Sequence, residues 1–328
     1  MSRFLWIAIL AASVASMCGN YLRASSDDSK PRDPAAWGSD HVGQPLPEYV
    51  TGDECLFCHR GLTSWVTNRH RLTIREPDPE SAALRALWNS PGRPFADETA
   101  MLMGRRHRVR FLKPTGEYGK LALLSTAWLP PRAGQSARLD RAENPSWDAS
   151  RFAKSCAGCH TTGVDPTTLA FSSPSLDCYV CHGDATLDHS KDTSLIFFSR
   201  KRQDPARVEI SVCGSCHIRS GRSRSTDRPF PNNFVAGDNL FRDFQVDLSD
   251  ETIAKLNPAD RHVLENVRDV VLFDKNAVTC LTCHDVHSGS RRKHHDVLEQ
   301  PLCLTCHNTT GPKSVRRPFE VHGTICEY

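Results

Sequence analysis

Apolar positions along the chain fall into a few short periodic runs separated by long stretches with no period. The strongest helical pattern is "NPADRHVLENVRDVVLF" (257–273), where Val263, Val267, Val270 and Val271 form one stripe and Asn257 and Pro258 supply the opening chemistry. A shorter one, "DPESAALRALW" (78–88), sets an acidic residue and a proline ahead of strong helix formers. Two strand-like runs in "HRVRFLKPTGEYGKLALLSTAW" (107–128) flank the turn-forming "PTGEYG", which predicts a small β-hairpin. The opening "MSRFLWIAILAASVASMCGN" carries one Arg, an apolar run of about a dozen residues and the small-residue stretch "ASVAS". That is the pattern of a secretory signal over 1–17, too short to span a bilayer. Residues 18–48, rich in Ser, Asp and Pro, read as a flexible lead or tether, so the folded unit is expected over 49–328. No later segment has the apolar length of a membrane helix.

Between these runs one frame, Cys-x-x-Cys-His, recurs in six copies: Cys55-Cys58-His59, Cys156-Cys159-His160, Cys178-Cys181-His182, Cys213-Cys216-His217, Cys280-Cys283-His284 and Cys303-Cys306-His307. With 14 Cys and 15 His in 328 residues, chance supplies roughly 0.03 such matches, which excludes coincidence. Three chemistries use paired cysteines. A disulfide framework has no use for a His after the second Cys of every copy, and a chain of this length buries a core without staples. Zinc ribbons join two Cys-x-x-Cys knuckles on one metal, which again leaves the His surplus. Covalent haem uses every letter: two thiols add across the two vinyl groups of a porphyrin, and the adjacent imidazole reaches the iron. The motifs therefore predict six covalently attached haem c groups, with the twelve cysteines as thioether donors and His59, His160, His182, His217, His284 and His307 as proximal iron ligands.

Composition agrees. Hydrophobic residues make up 39% and aromatics 8%, a thin core that flat apolar macrocycles would complete. The formal charge of +3 omits the cofactors, and each ferric haem with its two propionates adds roughly −1. The loaded protein is thus expected to be near neutral or acidic. The arginine clusters "RRHRVR" (105–110), "RKRQDPAR" (200–207) and "RSGRSRSTDR" (219–228) then have a use in pairing propionates, the alternative being a solvated basic face. Without an overall basic excess or a recognition fold, nucleic acid is not an expected partner. The closest motif starts, 156 with 178 and 280 with 303, point to two close haem pairs.

Taken with these motifs, several stretches resemble the multihaem c-type cytochromes typified by the tetrahaem cytochrome of ammonia oxidisers and their doubled-CXXCH relatives. "YVTGDECLFCHRGLTSWVTNRH" (49–70) is similar to that family's first haem site, "CAGCHTTGVDPTTLAF" with "LDCYVCHGDATLDH" (156–189) to its central pair, and "TCLTCHDVHSGS" with "LCLTCH" to the doubled-motif segment. The resemblance is specific at the motifs and loose between them. It implies a mainly α fold, with short helices and long loops packed around six haems, and an activity in electron transfer. It also implies iron ligation by His70, His189 and His287, and by His322 after the last motif.

Counting from the residues, nine histidines lie outside the motifs, and methionine outside the signal region is limited to Met101 and Met103. Bis-histidine irons of low potential are therefore expected. His262 on the predicted helix, one of the adjacent pair His294 and His295, and His107 on the predicted hairpin complete the distal candidates, while His41 falls in the tether. Family members often place a His just before the fifth motif, where this chain reads "FDKNAVTC" with Asn276, so one iron is left open or takes His262.

The leading function is an extracytoplasmic electron carrier serving redox protein partners or a membrane quinol or oxidoreductase complex. One alternative is a redox enzyme acting on a small nitrogen or sulfur species at one five-coordinate iron. The other is a self-assembling subunit of a haem filament or of a membrane-bound complex. Cys18 offers a lipid anchor as an alternative to signal cleavage, although Met17 stands where a small residue is wanted. Cys326 is left as an unassigned thiol.

Overall fold

The computed structural model describes residues 52–287 apart from Arg106, Ala133 and the segment 274–278. The signal segment, the lead with Cys18 and His41, Asn276, the sixth motif (Cys303, Cys306, His307), His294, His295, His322 and Cys326 lie outside these residues.

Motif one forms a single helical turn, α1 (Cys55–Cys58), followed by a 3-10 segment over Arg60–Thr67. The long interval before motif two is filled by a sheet. Its strands are β1 (Ile74–Arg75), β2 (Met101–Met103), β3 (Val109–Pro114), β4 (Leu121–Leu129), β5 (Arg138–Asp140) and β6 (Trp147–Asp148), with helices α2 (Ala82–Trp88) and α3 (Arg93–Glu98) between the first two strands. Neighbours pair antiparallel in the order β1-β2-β3-β4-β5, and β6 adds to β4. The hairpin expected at 107–128 is β3-β4, in the register Leu112↔Leu123, but it is the centre of six strands rather than an isolated ribbon. Strands of two or three residues, such as β1 and β2, offer too few positions for alternation to show in the sequence. Helix α2 begins at Ala82 because 78–81 forms a turn, closed by the Ser81 N–H on Asp78 O at 2.8 Å.

Both faces of the sheet are covered, which explains why β4 is apolar on both faces apart from Ser125 and Thr126. Leu102, Val109, Phe111 and Leu124 pack on Ala83, Leu87 and Ala96 of the two helices. Alternate positions, Met103, Leu112, Leu121 and Leu123, pack on Phe152, Ala157 and Phe171. This second face leads to chemistry. Helix α4 (Ala149–Ser155) is capped by Asp148, whose carboxylate accepts the Arg151 N–H at 2.8 Å. It lays Phe152 against the sheet and runs directly into Cys156 and α5 (Ala157–His160). The sheet is thus the platform of motif two.

The ribbon β7 (Thr161–Val164) and β8 (Phe171–Pro174) leads into α6 (Cys178–His182), which carries motif three. Gly119, at φ +67, lets the β3–β4 turn dock on β8: a Cβ there would lie 2.4 Å from the Phe171 carbonyl oxygen. Motif four ends the longer helix α7 (Ala206–His217). The ribbon β9 (Arg222–Ser223) with β10 (Phe244–Gln245) and the helices α8 (Leu240–Asp243), α9 (Asp250–Lys255), α10 (Pro258–Phe273) and α11 (Cys280–Cys283) follow. A second core holds α7 in place, joining Ile210 to Leu240, Phe241, Ile253, Leu264 and Val267. Helix α10 matches the expected span, with the Asn257 side chain accepting the Asp260 N–H at 3.1 Å. None of the described helices is long and apolar enough to cross a membrane.

Candidate metal centres

The motif spacing closes one helical turn, bringing the His back over its first Cys. The His59 N–H bonds the Cys55 carbonyl at 2.9 Å, His160 bonds Cys156 at 3.2 Å and His284 bonds Cys280 at 2.9 Å. Inside motif two, Gly158 is dictated by packing, since a Cβ would lie 2.2 Å from the Phe230 ring.

Thiols of different motifs meet. Cys55 lies close enough to Cys178, Cys159 to Cys216, and Cys213 to Cys280 for each pair of thiols to influence one another's protonation. These contacts, followed by burial, hold Cys159, Cys178 and Cys213 above the ordinary thiol range, and burial pushes Cys181 up to about 12. Among the described residues no three His, Cys, Asp or Glu side chains converge as metal ligands. Several of the imidazoles described come in pairs, the number that two ligands on one iron would supply.

Three such pairs are present. The ring centroids of His59 and His189 lie 6.0 Å apart with planes at 16°, those of His182 and His287 6.0 Å apart at 6°, and those of His70 and His217 6.2 Å apart at 78°. Each joins one motif His to one non-motif His. Two metal–imidazole bonds of about 2 Å each, plus the distance from each ring centre to its nitrogen, would separate two imidazoles sharing one ion by about 6 Å. The pairs have the separation that one shared metal ion requires.

The tautomers agree. A carbonyl oxygen only accepts, so the His182 Nδ1–H donates to Phe197 O at 2.7 Å and the His189 Nδ1–H to Thr186 O at 2.5 Å, leaving each Nε2 with its lone pair for a metal. The Arg202 guanidinium lies 3.8 Å over the Phe197 ring and ion-pairs Asp204, which steadies that carbonyl. At four of the histidines burial favours the neutral form that ligation demands. It lowers His70 and His182, and it takes His160 and His217 down to about 4, with Arg219 adding to the effect on both and His70 to that on His217. His217 keeps accessible surface although protein atoms surround it closely. Phe57, in motif one, and Leu187, two residues before His189, are 76% and 86% exposed, apolar surface that a porphyrin on the His59–His189 pair would cover.

Sequence reasoning missed the residues that assemble these pairs, all common polar residues outside the motifs. Ser64 and Asn68 bond the carbonyls of His287 and Val286. Glu209 of α7 accepts the Leu281 N–H at 2.6 Å, pinning motif five against motif four. A Glu209→Ala variant is expected to lose about 1–3 kcal/mol by unpairing that donor. Denaturant midpoints measure the loss, and an unchanged midpoint would show that motif five is held by other contacts.

Asp177 caps motif three through the Tyr179 N–H at 3.0 Å, while its second oxygen is buried without a hydrogen-bond partner. Burial raises this carboxyl from 3.8 to about 6. The folded state therefore binds the proton more tightly than the unfolded chain, and the contribution to stability falls as pH rises from about 4 to about 6. Asp177→Asn keeps the cap without the buried charge. The variant is expected to be more stable by about 2–3 kcal/mol at pH 7, a gain that vanishes near pH 4; equal gains at both pH values would refute this account.

The remaining candidates are placed differently. His107 sits on the exposed loop entering β3, where Arg132 donates to its Nδ1 at 3.0 Å. His262 lies on α10. His284 comes close enough to His70 and His217 for its charge to lower both. Several cluster arginines pair within the fold: Arg108 with Asp140 at 3.0 Å, Arg202 with Asp204 at 2.6 Å and Arg222 with Asp227 at 3.5 Å.

No protein-family model and no curated protein matches the chain. Among solved structures, an undecaheme cytochrome from the S-layer of Carboxydothermus ferrireducens is similar at 19% identity and a TM-score of 0.44, over 83% of this chain and 45% of that one. The chain thus spans less than half the length of that cytochrome.

Proposed function

We propose that this chain is an extracytoplasmic electron-transfer protein that holds haem c at its six motifs, with bis-histidine irons at motifs one, three and four. The observation that carries this reading is the set of three imidazole pairs about 6 Å apart, each joining a motif His to a distant His. When bound, haem supplies one-electron exchange at iron. The chain's own residues attach the group by two thiols, fix the imidazoles, exclude water with the apolar cores, and set the spacing between centres. The thiol contacts between motifs one and three, two and four, and four and five support an order in which motif four has neighbours on two sides. Partners in this reading are redox proteins on the outer side of the cytoplasmic membrane, and the signal-like N-terminus supports that location.

Low-temperature EPR of the oxidised, fully loaded protein tests the proposal by separating low-spin doubly ligated irons from high-spin open ones. Low-spin signals from motifs one, three and four are expected. Their absence overturns the reading. One stoichiometric high-spin iron that shifts on adding nitrite, hydroxylamine or nitric oxide would assign catalysis to that centre.

A further inference from the structure

Resting on the bis-histidine reading, we infer that Asn68 is a positioning residue shared by two metal centres, holding His70 opposite His217 and His287 opposite His182. Asn68 is completely buried at the end of the 3-10 segment that follows motif one. Its side-chain oxygen accepts the backbone N–H of His70 at 2.9 Å. Its side-chain NH2 donates to the carbonyl of Val286, the residue before His287. A backbone N–H only donates and a carbonyl only accepts, so the two contacts fix the amide's orientation. One carboxamide therefore ties together two stretches of chain that supply ligands to different irons, motif four through His70 and motif three through His287. Ser64 strengthens the second contact by donating to the His287 carbonyl at 2.8 Å. In a buried site, removing one partner strands the other groups without water to replace it, so the amide has no cheap substitute.

The consequence is that loss of this one amide disturbs both ligand sets, which two independently held ligands would not show. The experiment uses the loaded full-length protein and counts carbon monoxide bound per ferrous protein, alongside the spin states of the oxidised form, since only an iron missing a ligand binds this probe. His70→Ala and His287→Ala are each expected to open one iron, and failure of both to do so overturns the bis-histidine reading itself. Asn68→Ala is expected to open two irons. Asn68→Ser, whose short hydroxyl still accepts from the N–H two residues on but does not reach Val286, is expected to open only the iron of His182, and it serves if the alanine variant fails to load haem. With both histidine controls behaving as expected, an Asn68→Ala protein that binds no more carbon monoxide than the parent overturns the inference. So does an Asn68→Ser protein that opens both irons or neither.

Discussion

A His189→Met variant is expected to raise the reduction potential of the centre at Cys55, Cys58 and His59 by on the order of 0.1 V, within the roughly 0.8 V range that axial ligation spans. His189 faces His59 at 6.0 Å, and its Nδ1–H is committed to the Thr186 carbonyl, so its Nε2 is the free donor. The imidazole is a stronger donor than a thioether and favours ferric iron; Met favours ferrous iron and shifts the couple upward. A spectroscopic redox titration reads the change as one component moving while the rest stay in place. A titration that superimposes on the parent's would remove His189 from the coordination sphere.

The second large effect concerns the platform under motif two. Phe152 is 1% exposed, packs on the sheet residues Leu112, Leu121 and Leu123, and meets Phe171 edge to face with centroids 6.2 Å apart. Phe152→Ala is expected to cost about 3–5 kcal/mol from lost burial and the cavity left behind. That is a large part of the roughly 5–15 kcal/mol that holds a typical domain folded. Because α4 runs without a break into Cys156, the same change is expected to lower haem loading at motif two selectively. Chemical denaturation and mass spectrometry of the loaded protein measure the two effects. A loss under about 1 kcal/mol would mean that the sheet does not anchor α4.

Much of the site was legible because its chemistry is local. Five residues suffice to close the motif's helical turn, and the resemblance at 49–70, 156–189 and 279–290 named His70, His189 and His287, which the fold places about 6 Å from motif histidines. What the sequence could not show is which motif each faces. His70 follows motif one yet faces His217, and His189 follows motif three yet faces His59, because the 3-10 segments around them redirect the chain. Similarly, α10 and the β3–β4 pair announced themselves by period, whereas β1, β2, β5 and β6 are too short to have one. Asn68 and Glu209 were invisible for another reason: a buried polar residue earns its place through partners far along the chain, Val286 and Leu281, that no local pattern names.

Each imidazole pair joins residues far apart in the chain: 59 with 189, 70 with 217, and 182 with 287. A bond through a shared iron at each pair, as proposed, would tie a long loop shut, with the cofactor acting as a knot in an otherwise weakly tied thread. Chains emerge N-terminus first. In the proposed reading of an exported, haem-loaded chain, the first motif crosses well before residue 189 follows, and an iron held there would pass through a stage with only His59 in place. In that reading maturation would proceed by capturing later segments, and a chain shortened before residue 189 would leave the first centre open.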